Sequence, residues 1–143
     1  MMGPLRRHRP KSRGQALAEF ALVLPIFLLI LFGIIDGGRL VFTNNHLAEA
    51  AREGSRWGSV QGRSTTPAGR DAIVDETLAR INGVPSPEVF VSCERNEAPV
   101  ANCASLDILI VRVTADFQLV TPFVSNLLGQ PELAAQSKVM VNQ

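Results

Sequence analysis

Residues Phe20 to Ile35 read FALVLPIFLLILFGII, sixteen consecutive positions without a charge. With the five residues from Gln15 to Glu19 the stretch is twenty-one residues long. As a helix rising ~1.5 Å per residue it measures about 31 Å, enough to cross a hydrocarbon core of roughly 30 Å. The other home for such a helix is the core of a soluble domain. A chain of 143 residues has too little protein to enclose a helix that is apolar all round, so the sequence predicts a membrane span.

The flanks orient it. Arg6, Arg7, Arg9, Lys11 and Arg13 precede the span, and Glu19 is the first acid of the chain. After the span only Arg39 and Arg52 follow within about 20 residues, an asymmetry that keeps the basic end in the cytoplasm. A cleaved secretory signal predicts a small-residue site after the apolar run, but the sequence there is IIDGGRLVF and has none. The composition is 46% hydrophobic and 19% charged, with a mean hydropathy of +0.16. Those values exclude a disordered chain. The net charge of only +1 argues against a nucleic-acid partner, which calls for a basic stripe.

The junction before the span reads KSRGQALAEF, with Gly14 closing the basic head and Glu19 five residues later. A glycine lets a backbone lie extended in a peptidase cleft. A carboxylate at the edge of lipid is costly, on the order of 2.5–3.5 kcal/mol for the comparable Asp. Either Glu19 sits in the headgroup region, or it has a partner in an assembly. The spacing resembles type IV prepilins and pseudopilins, in which a membrane peptidase cuts after the glycine on the cytoplasmic side. The resemblance becomes specific from Arg13 to Val60. Gly14, Glu19 and Phe20, the proline of the run (Pro25), the exit Gly33, Asp36, Gly37 and Arg39, and the segment Ala50, Ala51, Arg52, Glu53, Gly54 and Arg56 together resemble the TadE-like family. These are pseudopilins of tight-adherence (Flp-type) pilus systems. The resemblance implies cleavage between Gly14 and Gln15. It also implies that Glu19 pairs with the new amino terminus at Gln15 of a neighbouring subunit. Because Flp-type major pilins are much shorter, it implies a minor subunit.

Pro25 removes one helical hydrogen bond, which neighbours in a membrane can compensate; the sequence does not say whether the resulting bend is used. Gly33 and Gly37 stand four apart, and Ala50, Gly54 and Gly58 continue small residues at that spacing. Small residues let helices approach closely, either in a subunit contact or against this chain's own globular part; the second reading is favoured for Ala50, Gly54 and Gly58. Leu40, Leu47, Ala51, Gly54 and Gly58 form one stripe, so the helix is expected to continue beyond the membrane with that face covered.

Residues 61–69, QGRSTTPAG, read as a loop. Asp71 to Ile81 reads as a short helix with Val74, Leu78 and Ile81 on one face, ended by Asn82–Gly83. Three stretches then alternate with period two: Val89, Val91 and Cys93; Leu109, Val111, Val113, Ala115 and Phe117; and Leu133, Ala135, Val139 and Val141. They predict a small antiparallel sheet with one face on the long helix. Residues 120–128, VTPFVSNLL, are apolar for a loop and suit either the sheet edge or lipid. Cys93 and Cys103, the only cysteines, are expected to form a disulfide outside the cytoplasm. Free thiols and metal ligands are the alternatives, the latter disfavoured because no local histidine completes a tetrahedral set.

No motif of nucleophilic, phosphate-binding or zinc-dependent catalysis is present, and His8 and His46 are the only histidines. The expectation is therefore a non-enzyme without cofactor or metal. Its fold is α+β and pilin-like: a basic leader over 1–14, a span over 15–37, the helix continuing over 38–60, and a small extracytoplasmic domain over 61–143. Expected partners are membrane lipid, prepilin peptidase, other pilins or pseudopilins and the pilus assembly platform, at the bacterial inner membrane with the N-terminus cytoplasmic. The competing expectation is an uncleaved, single-pass anchored binding module of the cell envelope.

Overall fold

The computed structural model describes residues 13–60, 63–121, 125 and 129–142. Most of the basic leader, including Arg6, Arg7, Arg9, Lys11 and His8, lies outside the described residues. So do Gln61 and much of the 120–128 segment. Helix α1 runs unbroken over Arg13–Gly58, 46 residues with Pro25 inside, about 69 Å long at ~1.5 Å per residue. A single 3-10 turn, Arg63–Thr65, leads into helix α2, Pro67–Ala79. Strands β1 (Glu88–Arg95), β2 (Ala98–Val100), β3 (Ile108–Asp116) and β4 (Glu132–Met140) follow. They form one antiparallel sheet in the order β2-β1-β3-β4.

Helix α1 has two environments. Its first half carries large apolar side chains with no protein cover, Phe20, Leu22, Ile26, Phe27 and Ile34 among them. Its second half is the backbone of the domain: Leu47, Ala50 and Ala51 lie in a core completed by Ile73 of α2, Leu109, Val111 and Val113 of β3, Ala135 and Val141. Both helices cover one face of the sheet, with α1 against β3 and β4. The domain therefore begins inside α1, near Leu47.

The sheet carries one strand more than alternation shows. β1 turns into β2 through Asn96 and Glu97, both left-handed (φ 50° and 63°). This is the two-residue turn whose twist matches a hairpin, joining the paired residues Arg95 and Ala98. Three residues with a proline among them, Ala98–Val100, are too short to show a period. α2 also starts four residues before the expected Asp71. Thr66 caps it by accepting from the Gly69 amide at 3.1 Å, and Pro67 opens the first turn, so a threonine–proline pair that reads as loop is a helix start. Its buried side is Ile73 and Thr77 rather than Val74, Leu78 and Ile81. Val74 and Leu78 are half-buried, and Ile81 is buried beyond the helix end.

Two further departures concern the strand faces. In β4 the inward position between Ala135 and Val139 is Ser137, which accepts from Ser55 Oγ of α1 at 2.8 Å, so the apparent gap in the pattern is a helix–sheet hydrogen bond. On the outer face Ile110 and Thr114 are buried. Lys138 of β4 reaches 3.2 Å from Glu94 of β1. Its aliphatic stem thereby spans β3 over Ile110.

Candidate functional site

The residues expected at the processing site occupy the first turns of α1. Gly14 is helical, and a Cβ there would touch nothing within 4 Å. Glu19 is exposed and accepts from the Gln15 side chain at 3.1 Å. Among the described residues the hydrogen-bond partner of the carboxylate is this neutral amide. Pro25, Gly33 and Gly37 lie on the uncovered half, with open space around both glycines. The other small residues have a partner in the chain itself. A Cβ on Gly54 would lie 2.1 Å from Thr77 Oγ1, and one on Gly58 would lie 2.5 Å from Ile73 Cδ1. Ala50 is buried in the core.

Where α1 leaves its uncovered half, Asp36 is almost fully buried at 5% exposure. Its Oδ1 accepts from the Val120 amide at 2.9 Å. Its Oδ2 accepts from the Thr121 amide at 3.1 Å and the Thr121 hydroxyl at 2.7 Å. Arg39, one turn on, lies 3.5 Å from the carboxylate, donates to the Gln118 carbonyl at 3.3 Å and covers the Phe117 ring at 5.6 Å. Asp36 and Arg39 thus tie the chain leaving β3 to the point where the anchor meets the domain. Sequence reasoning placed both in the exit motif but assigned them no partner. The available signal was the one that singled out Glu19: an acid abutting an apolar run needs donors.

Cys93 and Cys103 are joined, with Cα atoms 5.4 Å apart. The loop they close is held again by Asp107, whose carboxylate takes two hydrogen bonds of 2.7 Å each from Arg95 and one of 2.6 Å from the Ala104 amide. The Arg95 guanidinium, with the Ala104 amide second, holds the Asp107 carboxyl down from 3.8 to about 2. A carboxyl whose pKa is lowered by folding stabilises above its unfolded pKa and loses that contribution as pH falls through the folded value. The chain is thus expected to lose stability between pH 3.8 and about 2 that an Asp107→Asn variant never had. The stability difference between the two, followed by acid unfolding, should close across that interval. A constant difference down to the lower value would show that the pair does not act through charge.

A shallow cleft of about 440 Å³ is lined by His46, Glu49, Ala50, Arg52, Glu53 and Arg80. Three of its groups are engaged: Glu53 pairs with Arg56 and Arg80, and His46 stacks on Phe42. Among the described residues no group of three or more His, Cys, Asp or Glu side chains is placed to hold a metal ion.

An uncovered apolar helix, consistent with a single-pass membrane anchor, carrying an α+β domain with an antiparallel sheet defines the class of protein. The family model described as TadE-like protein matches residues 14–56. That match covers the anchor, the Asp36–Arg39 exit and the domain-forming part of α1, and it suggests involvement in tight-adherence (Flp-type) pilus systems. Comparison with curated proteins and with solved structures gives no match.

Proposed function

We propose that the chain is a minor pseudopilin, cut by prepilin peptidase between Gly14 and Gln15 and acting in assembly of a tight-adherence pilus or a related secretion apparatus. The observation that carries the reading is the coincidence of the TadE-like match with the uncovered half of α1. The matched segment contains the glycine, the carboxylate five residues on, and an apolar surface that this chain leaves bare. In this role α1 holds the mature subunit in the cytoplasmic membrane with the domain on the far side. Glu19, whose partner among the described residues is the neutral Gln15 amide, receives the amino terminus of Gln15 from the next subunit. The task is assembly and not catalysis, with the peptidase, other pilins or pseudopilins and the assembly platform as partners.

A second reading, an uncleaved anchored binding module, draws on the helical state of Gly14, since a peptidase must first open that turn. The mass of the mature chain in membranes containing an active prepilin peptidase separates the two. Loss of residues 1–14, abolished by Gly14→Val, is the expected result. A chain that keeps its leader beside a processed control pilin leaves the binding module as the better account.

A further inference from the structure

We propose that the corner Phe117–Thr121 rests in the interface of a phospholipid bilayer, so that the domain sits down on the membrane beside its own anchor. The inference depends on the reading of α1 as the anchor and adds a second, extra-helical contact. Its first support is level. Val120 and Thr121 donate their amides to Asp36, and a helical side chain leans toward the helix N-terminus. The corner therefore lies beside the turn before Asp36, at the end of the uncharged run that closes with Ile35.

The second support is polar satisfaction. Irregular backbone at the edge of lipid is costly unless its donors are paired within the protein. Here the Asp36 carboxylate takes both amides and the Thr121 hydroxyl, while Arg39 balances its charge and takes the Gln118 carbonyl. What the corner then offers outward is the Val120 side chain, 52% exposed, with half-buried Leu119 and the exposed Gln118 beside it, an apolar tip with a polar flank of the kind an interface accepts.

The third support identifies the occupant. Bare apolar surface on α1 does not stop at Asp36 but continues to Val41 and Phe42, the latter 73% exposed. At 3.6 residues per turn these two point about 140° and about 240° around the axis from Asp36. Apolar surface thus lies on several sides of α1 around the exit, with Val120 beside the turn before Asp36 and Val41 and Phe42 about 7.5 and about 9 Å further along the axis on other sides, Phe42 at the rim of a cleft with Asn82 and Val84. A single protein partner covers one side of a helix; a bilayer covers all of them. The boundary of the membrane therefore lies near Phe42, and Arg39 is a headgroup-level cation.

The test places one environment-sensitive fluorophore at a time on an introduced cysteine in the full-length chain, with Cys93 and Cys103 left oxidised, in phosphatidylcholine vesicles. Val120→Cys reports the corner, Phe27→Cys the middle of the anchor, and Phe90→Cys the outer face of the sheet. Nitroxide-bearing lipid is expected to quench the Val120 probe at least about threefold more than the Phe90 probe, as insertion at the headgroup boundary requires, and aqueous iodide to do the reverse. A Phe27 probe in lipid with a Val120 probe open to iodide overturns the corner contact while leaving the anchor intact. A Phe27 probe open to iodide overturns the anchor and the proposal with it. A Val120 probe shielded from both quenchers means that protein covers the corner, which also overturns it.

Discussion

Replacing Gly54 with leucine is expected to destabilise the domain by about 3 kcal/mol or more, at the upper end of what overpacking a closed core costs. A Cβ at this position meets Thr77 Oγ1 at 2.1 Å and Thr77 Cγ2 at 3.3 Å. Thr77 cannot turn aside freely: it is fully buried, and its hydroxyl donates to the Ile73 carbonyl at 2.6 Å. The clash must push α2 away from α1 and open the contact that holds Ile73 in the core. Gly54→Ala is milder, because alanine recovers up to about 1 kcal/mol of helix propensity against an overpacking cost of roughly 1–3 kcal/mol. Gly37→Ala, with nothing within 4 Å of the new methyl, should cost nothing. Trp57, the only tryptophan, packs against the core, so urea unfolding in detergent followed by its emission reads all three. Pairing Gly54→Ala with Thr77→Ala should cost less than the sum of the two single changes, since they share one contact. Strict additivity, or an unaffected Gly54→Leu midpoint, would show that α1 and α2 are not as close as described.

This contact also marks how much of the fold was legible in the sequence. The long uncovered apolar helix was legible because an uncharged run of this length cannot be enclosed by so small a domain. The strands with a clean period of two were legible because pleating puts alternate residues on one face. The Cys93–Cys103 link followed from compartment and proximity. What stayed hidden depends on partners distant in the chain. Ser137 breaks the apolar pattern of β4 because Ser55, eighty-two residues earlier, supplies its hydrogen bond. β2 exists because Asn96 and Glu97 accept a left-handed turn, a conformation glutamate seldom signals. α2 was placed late because its cap, Thr66, stands among loop-forming residues. Asp36 was named in the exit motif, but its donors lie 84 and 85 residues on, beyond any local pattern.

Asp36 is where the second large effect is expected. Asp36→Ala removes the acceptor for two backbone amides and one hydroxyl at once. Hydrogen bonds to a charged group are worth roughly 1.5–3 kcal/mol each, but the corner can turn some of these groups to water, so a net loss of about 3 kcal/mol is a reasonable magnitude. The loss is local. Leu47, Ile73 and Val111 do not touch the carboxylate, so the corner comes away while the core stays folded. Hydrogen exchange at the Val120 and Thr121 amides should accelerate about a hundredfold, given ~1.4 kcal/mol per tenfold, with the Trp57 emission unchanged. Asp36→Asn should fall between, since one carboxamide oxygen still accepts while the other position becomes a donor facing donors. Thr121→Val removes the hydroxyl bond alone and should cost least. If Asp36→Ala instead unfolds the core, the anchor and domain are one cooperative unit; if it leaves the two amides protected, the carboxylate is not what holds the corner. The predicted order has a mechanical meaning. α1 transmits whatever acts on the anchor, and Asp36 with Arg39 decides whether the far end of β3 follows. In the role proposed above, a pull on the anchor would reach the domain through the core near Leu47, while this clamp would hold the chain after β3 against α1.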